Sequence, residues 1–246
     1  MRTLIVTSRT TFVPGNYDDM IIGLATCPQV HGLVVLDNRS AALVKNALAL
    51  LAVGARGLGL SLLRNTFGFS HRRRLEAYRQ AGKKVWTMID FNSQEAVSLV
   101  KAQAIDLIVN ARTRCIYQEG ILGAPRLGCI NVHHGLLPDQ RGTMCDLWAL
   151  AEGEGAGFSL HQMTAKIDAG QILKTVQVSH PGDSDYLAYL RRAMALELAA
   201  TQQLLADLGS GGTVAGVANR PTMRRPHRRN PSAAAFRHML KQGMIL

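Results

Sequence analysis

Residues 129–173 read CINVHHGLLPDQRGTMCDLWALAEGEGAGFSLHQMTAKIDAGQIL. The pattern predicts a short buried strand at 129–132, followed by a loop that carries glycine and proline. A short helix at 146–151 and a strand at 157–163 come next, and residues 167–170 have the composition of a turn. Strands that alternate with helices in this way favour an α/β fold.

Three polar side chains of this segment could meet at one site. Asn131 and His133 are two residues apart, so they project to the same side of an extended strand. Asp168 lies at a turn, where it faces them if the chain doubles back. An amide can stabilise an oxyanion, an imidazole can exchange a proton near neutral pH, and a carboxylate can orient the imidazole. Together these groups are typical of acyl transfer to an amine or to water, although each alone also fits a structural role.

The order and spacing of these residues resemble the formyltransferases that use formyl-tetrahydrofolate. That family includes glycinamide ribonucleotide, methionyl-tRNA and nucleotide-sugar N-formyltransferases, and formyltetrahydrofolate deformylase. Its pattern is Asn-x-His, Leu-Leu-Pro, Arg-Gly, a helix with tryptophan, and Asp-x-Gly. The matching residues are Asn131, His133, Leu136-Leu137-Pro138, Arg141-Gly142, Trp148 and Asp168-Ala169-Gly170. The close resemblance covers residues 104–178, and it implies a Rossmann-like fold.

The resemblance implies roles for individual residues. Asn131, His133 and Asp168 would be catalytic, and 10-formyltetrahydrofolate would be the co-substrate. The residues expected to bind this co-substrate are Thr113, Arg114, Cys115, Ile116, Leu137, Ala165, Lys166 and Ile167. We expect His134, Arg141 and Met144 to contact the acceptor, and we predict no metal ligands.

Three departures from the family pattern surround the predicted site. His134-Gly135 stands where the family usually has Pro-Ser, and Met144-Cys145 where it usually has a proline. The loop at 8–16 lacks the Gly/Ser-rich phosphate cradle of glycinamide ribonucleotide formyltransferases, which argues against that activity. We expect these differences to affect the acceptor more than the formyl chemistry.

The rest of the chain fits a mostly parallel sheet with helices on both faces. Strands are predicted at 2–7, 31–36, 84–88, 105–110 and 128–132, and long helices at 18–26, 93–102 and 183–208. The helix predicted at 40–54 is apolar nearly all round, so we expect it to be buried.

Composition limits the cellular context and the partners. The chain has 246 residues, four cysteines without metal-ligand spacing, and no apolar run of membrane-spanning length. It begins with a predicted strand rather than a signal peptide, so we expect a cytoplasmic protein. The formal charge is 28 − 17 = +11. An excess of this size favours an anionic partner, such as a phosphate, a nucleotide, RNA, a membrane surface or the glutamate tail of a folate.

The last part of the chain is strongly basic. We divide the sequence into a catalytic domain at 1–209 and a basic extension at 210–246. From residue 220 onward there is no acidic residue, and the basic residues are Arg220, Arg224, Arg225, Arg228, Arg229, Arg237 and Lys241. Nucleic acid is not the favoured partner, because aromatic residues that would stack on bases are not interleaved with these charges.

The sequence therefore predicts an N-formyltransferase that acts on a primary amine of a small molecule, with or without a phosphate group. A nucleotide-linked amino sugar is one such acceptor. The alternatives are a formyltetrahydrofolate deformylase, an enzyme like methionyl-tRNA formyltransferase, and a folate-binding relative without turnover. The chain looks too short for the further barrel domain of methionyl-tRNA formyltransferases. The sequence does not decide whether the protein forms a homodimer.

Overall fold

A single twisted sheet forms the centre of the computed structural model, which describes residues 1–222 and 226–246. Its strands are β1 Thr3–Ser8, β2 Val30–Leu36, β3 Lys84–Met88, β4 Leu107–Ala111, β5 Cys129–His133, β6 Gly157–Gln162 and β7 Ile172–Gln177. Their order in the sheet is β3-β2-β1-β4-β5-β6-β7. The first five run parallel, and β6 pairs antiparallel with both β5 and β7. The predicted mostly parallel Rossmann-like sheet is confirmed.

Helices cover both faces of this sheet. They are α1 Asp18–Leu24, α2 Ala41–Ala52, α3 Arg56–Phe67, α4 Ser70–Gln80, α5 Gln94–Ala102, α6 Glu119–Leu122, α7 Cys145–Ala151, α8 Tyr186–Gly209 and α9 Ala233–Lys241. Alternate residues of β1 belong to different cores: Ile5 packs with α1 and α8 on one face, and Leu4 and Val6 pack with α5 on the other. A strand buried on both faces needs a continuous apolar run, which is why TLIVTS reads as it does.

The chain order creates a crevice at the carboxyl ends of the strands. The chain runs outward from β1 to β2 and β3, and then returns to place β4 on the other side of β1. The loops that follow β1 and β4 therefore separate from each other, and ligands of open α/β sheets bind at such a switch point. The loops after β1, β4 and β5 border one cavity at this edge.

Two helices differ from the sequence-based expectation. Helix α2 is not buried all round, because only Leu43 and Ala47 of it are buried, and Leu48 is 54% exposed. Its apolar residues line a cavity and a small satellite core with α3 instead of the centre of the domain. Helix α8 begins at Tyr186 rather than 183, because Asp185 is its N-cap and accepts a hydrogen bond from the backbone nitrogen of Ala188 at 2.9 Å.

The residues after α8 pack back onto the domain. Gly57 N donates to Leu246 O at 2.7 Å, and residues of α9, among them Phe236 and Met239, belong to the main core. Arg228 lies over the Trp148 ring and pairs with Glu152. The division into domains at residue 209 remains a prediction, and Arg224 and Arg225 of the basic segment lie outside the described residues. Among the described residues, no helix combines the length and apolar character needed to span a membrane.

A buried ion pair attaches α4 to the sheet edge that carries the crevice. The Arg74 side chain is fully buried, and its Nε lies 2.6 Å from Asp18 Oδ1 on α1. Its Nη1 donates to the backbone oxygen of Ser8, the last residue of β1. The contact therefore fixes the start of the loop that follows β1.

Arg74→Ala should lower the free energy of unfolding by about 3–5 kcal/mol, because it leaves the buried Asp18 carboxylate without its closest cation. Urea unfolding followed by circular dichroism measures this change. The double variant Asp18→Asn/Arg74→Met should recover much of the lost free energy of unfolding, because neither buried charge of the pair remains. Arg79→Ala, at an exposed position of the same helix, should change the value by less than about 0.5 kcal/mol. Equal effects of Arg74→Ala and Arg79→Ala would contradict the argument.

Candidate active site

The crevice contains a cavity of about 790 Å³. Ligand sites of proteins have volumes of about 300–1,000 Å³. Its walls come from the loops after β1 and β4, the end of β5, the segment between β6 and β7, helices α2 and α3, and the chain from 227 to 236. The predicted catalytic residues Asn131, His133 and Asp168 all border it.

Strand pairing places the polar side chains of the site next to one another. Asn131 and His133 lie on β5, and both border the cavity. His161 on β6 is the direct partner of Asn131 in the antiparallel register. Asn131 Nδ2 and His161 Nε2 are 3.1 Å apart, so the amide can donate to the imidazole.

The ring of His133 is held by the loop that follows its own strand. Its Nε2 lies 2.7 Å from the backbone oxygen of Gln140. Because a carbonyl oxygen can only accept, this nitrogen carries the hydrogen. In the neutral ring Nδ1 is then free to take a proton, and it lies 3.4 Å from Asp168 Oδ1. Gly135 is required beneath the ring, since a Cβ there would lie 2.8 Å from His133 Nε2.

Asp168 connects three segments of the chain. Its Oδ2 accepts a hydrogen bond from Gly142 N at 2.9 Å, and its backbone oxygen accepts one from Asn219 Nδ2 at 3.0 Å. Its φ of 50° lies in the left-handed region, which costs a non-glycine residue about 1–2 kcal/mol. Gly170 lets the turn approach β6 closely, because a Cβ there would meet Gln162 O at 1.9 Å.

His161 completes the group from the neighbouring strand. Its Nδ1 donates to the backbone oxygen of Gln162 at 2.7 Å, which leaves Nε2 as an acceptor for Asn131. Burial, together with the nearby His133, lowers the pKa of His161 to about 4. The ring therefore stays neutral at physiological pH and keeps the Asn131 amide in one orientation.

His133, His161 and Asp168 also have the composition of a metal site, since their ligand atoms lie within 4.8 Å of one another. All three side chains already use atoms in hydrogen bonds. His133 Nε2 donates to Gln140 O, His161 Nε2 accepts from Asn131, and Asp168 Oδ2 accepts from Gly142 N. We therefore interpret the group as an acid–base arrangement.

A second polar network lies behind β5. The fully buried Glu197 of α8 accepts a hydrogen bond from Tyr17 at 2.5 Å and lies 2.8 Å from His134 Nδ1. Arg112 Nη2 approaches the same nitrogen at 2.5 Å. Burial, and after it the Arg112 charge, lowers the pKa of His134. Burial raises the pKa of Glu197, but His134, Arg112 and Tyr17 outweigh this effect, so the pKa lies below its usual value. The carboxylate thus stays charged, and the charge of Arg112 contributes to this.

The residues predicted to bind the co-substrate fall into two groups. Six of them border the cavity, and they are Thr113, Arg114, Cys115, Ile116, Lys166 and Ile167. Leu137 is buried under the loop, where its backbone nitrogen donates to Ser159 Oγ at 3.0 Å. Ala165 is exposed beside the turn that carries Lys166. The structure thus brings the two predicted loops together.

The residues predicted to contact the acceptor also differ in position. His134 and Met144 border the cavity. Arg141 instead supports the loop, since its Nε donates to Pro138 O at 2.9 Å and its Nη2 to Asn219 Oδ1 at 2.8 Å. Cys145 is buried, and burial raises the pKa of its thiol, so it is not primed as a nucleophile.

Two residues of the site, His161 and Glu197, were not predicted from the sequence. His161 could have been found only from the pairing of β6 with β5, which is not a local signal. Glu197 had a local signal, because it is three residues after Met194 and three before Ala200 on the apolar face of α8, and both of these residues are buried. A carboxylate on such a face needs a buried partner.

Comparison with known proteins places this geometry in a family. A family model described as formyl transferase matches residues 70–198, slightly more than half of the 246 residues. The chain belongs to the formyl transferase family. The matched segment contains Asn131, His133, His161, Asp168 and Glu197.

Several proteins are similar to this family member. A methionyl-tRNA formyltransferase from Macrococcus caseolyticus is 41% identical over 98 residues, which are 39% of this chain and 32% of that protein. The chain thus matches about a third of the length of this relative. Among solved structures, phosphoribosylglycinamide formyltransferase from Bacillus halodurans has a TM-score of 0.61 at 18% identity, covering 86% of this chain and 96% of that one. A sugar N-formyltransferase from Shewanella sp. has a TM-score of 0.57 at 18% identity, covering 93% and 76%. At these identities the solved structures support the fold alone.

The lowered pKa of His161 predicts an acid-dependent loss of stability in this family member. Its folded pKa of about 4 lies below the unfolded value of about 6.5, so the unfolded chain takes up a proton first as the pH falls. Stability should therefore decrease from about pH 6.5 to 4, with a slope of at most about 1.4 kcal/mol per pH unit from this group.

His161→Gln retains an acceptor for Asn131 but cannot titrate. Urea unfolding at several pH values should show a shallower decrease for the variant than for the parent chain. His134 also has a lowered pKa, but it is present in both proteins and cancels in the comparison. Parallel curves for the two proteins would rule out His161 as the titrating group.

Proposed function

We propose that this protein transfers a formyl group from 10-formyltetrahydrofolate to a primary amine. The observation that carries the proposal is the convergence of the Asn131 amide, His133 Nδ1 and the Asp168 carboxylate at one cavity. Membership of the formyl transferase family supports the same chemistry. These three residues are the proposed catalytic group.

The cavity wall on the side of β4 and β5 suits a flat heterocyclic co-substrate. Ile116 and Ile167 border it and are 64% and 47% exposed, which is unusual for large apolar side chains that nothing covers. Met163 adds a third apolar surface, and the backbone at Thr113–Cys115 offers hydrogen-bonding groups. The pterin ring would lie between the loop after β4 and the turn before Asp168. When bound, 10-formyltetrahydrofolate supplies an activated formyl group.

His133 is the proposed proton carrier. Its Nδ1 would accept the proton that the attacking amine loses as nitrogen bonds to the formyl carbon. The resulting imidazolium would be stabilised by Asp168, 3.4 Å away, and its Nε2 hydrogen would stay bonded to Gln140 O. His133 would then return the proton to the leaving nitrogen, so that a formamide and tetrahydrofolate result.

Asn131 is the proposed oxyanion donor. One hydrogen of its amide nitrogen points to His161 Nε2, which leaves the second hydrogen for the formyl oxygen as that oxygen gains charge. His161 acts through Asn131 and is therefore a positioning residue. A fixed donor of this kind contributes about 3–4 kcal/mol to the transition state.

The proposal also covers the acceptor and the cellular location. We propose a small-molecule amine as the acceptor and a cytoplasmic location. Water in place of the amine would make the protein a deformylase, with formate as the product. Binding of the co-substrate without any turnover would identify a non-catalytic relative.

Replacing the catalytic group should lower kcat by orders of magnitude. Asn131→Asp removes the amide hydrogens at nearly constant shape and should cost about 100- to 1,000-fold. His133→Ala and Asp168→Asn should have effects of similar or greater size. The measurements are tetrahydrofolate release with a panel of primary amines, formate release without an amine, and circular dichroism to confirm folding.

The control is Lys174→Ala, at an exposed position of β7, which should leave kcat unchanged. The same assays with a chelator present test the metal-site reading of the group around Asp168. If all three variants were as active as the parent chain, the proposed catalytic group would be wrong.

A further inference from the structure

The cavity continues beyond the catalytic group into a second compartment. The donor side lies above β4, β5 and β6. On the other side, above β1, the wall changes to α2, α3 and α9. We name this part the acceptor lobe and define it by Phe12, Leu43, Leu50, Leu58, Leu62 and Phe236.

Regular helix spacing produces the apolar wall of the acceptor lobe. Leu43 and Leu50 are two turns apart on α2, and Leu58 and Leu62 are one turn apart on α3, so each pair shares a helix face. Phe236 approaches from α9. Because α2 contributes apolar residues to this wall, it is a largely apolar helix that is not buried in the main core.

The backbone of the loop after β1 is poorly suited to act as a phosphate cradle. Three of its nitrogens are already donors within the protein. Thr10 N donates to Asn38 Oδ1 at 3.0 Å, and Thr11 N donates to Asn16 Oδ1 at 2.7 Å. Val13 N donates to Thr11 Oγ1 at 3.3 Å. An anion-binding loop needs such nitrogens free to face the ligand.

The nearby arginines are also engaged. Arg9 pairs with Asp37 at 3.1 Å. Arg112 contacts His134 through Nη2, and its guanidinium lies over the rings of Phe12 and Tyr17. Arg9 and Arg112 therefore already have partners, and the six residues that define the acceptor lobe are all apolar, although Asn46, His227, Arg228 and Asn230 also border the cavity.

We propose that the acceptor is a primary amine that carries an apolar chain, which occupies the acceptor lobe while its nitrogen lies beside His133 Nδ1. This inference rests on the proposed formyl transfer and narrows its substrate class away from nucleotide-linked amines. The chemistry is the step already described, with the amine proton passing to His133.

The test is a series of n-alkylamines from ethylamine to n-octylamine, assayed with 10-formyltetrahydrofolate. The ratio kcat/KM should rise about fourfold for each added methylene, the change that corresponds to ~0.8 kcal/mol per buried CH₂. Equal or faster turnover of a nucleotide-linked amino sugar, with no rise along the alkyl series, would overturn the apolar assignment and leave formyl transfer intact.

Two neighbours on α2 provide a matched pair of variants. Ala49 is exposed and borders the cavity, so Ala49→Trp fills the acceptor lobe without removing core contacts. It should lower kcat/KM for n-octylamine tenfold or more. Leu48 is also exposed but is not among the residues that border the cavity, so Leu48→Trp should leave the whole series unchanged. Equal values for the two variants would overturn the assignment.

Calorimetric measurement of n-octylamine binding distinguishes the acceptor-lobe proposal from the proposed formyl transfer. The parent chain should bind n-octylamine, Leu48→Trp should bind it equally, and Ala49→Trp should bind it at least tenfold more weakly. This pattern without any formyl transfer would support the acceptor lobe and overturn the proposed function. No binding of n-octylamine to the folded parent chain would overturn the lobe, whatever the outcome of the formyl-transfer assay.

Discussion

The arrangement of the site depends on the contacts of one carboxylate, that of Asp168. Its two oxygens face different neighbours, one directed at His133 and His161 and the other bound to Gly142 N. Its backbone oxygen accepts from Asn219, and Asn219 Oδ1 in turn accepts from Arg141. The loop after β5, the turn before β7 and the chain after α8 thus meet at a single residue. Its left-handed backbone is tolerated because these contacts overdetermine it.

The polar network behind β5 supports the same site from the other side. Glu197 brings a buried negative charge behind β5, where Tyr17 and His134 contact its two oxygens and the charge of Arg112 helps to lower its pKa. Removing one member would leave a charge without a partner in a dry environment, so the network acts as a unit. It fixes His134 one residue from the proposed proton carrier, and it therefore restricts the direction in which the end of β5 can move.

Much of this could be predicted because the relevant signals were local. The alternation along β5 placed Asn131 and His133 on one side, and the turn composition at 167–170 placed Asp168 at a bend. The bordering loops followed from the family resemblance. His161 could not be predicted in this way, because only the register between β5 and β6 brings it to Asn131. The composition of α2 indicated burial, but in the folded protein its apolar residues border a cavity. Contacts that join distant parts of the chain, such as Asp168 with Asn219, leave no periodic pattern in the sequence.

The acceptor lobe is built from parts of the chain that the family model does not reach. Phe12, the leucines of α2 and α3, and Phe236 precede residue 70 or follow residue 198, whereas the catalytic group lies between these limits. In our proposal, the reaction chemistry and the acceptor choice are thus encoded in separate stretches of the gene. Drift or recombination at the two ends would then exchange one acceptor for another while the segment that carries the proposed catalytic group is inherited intact.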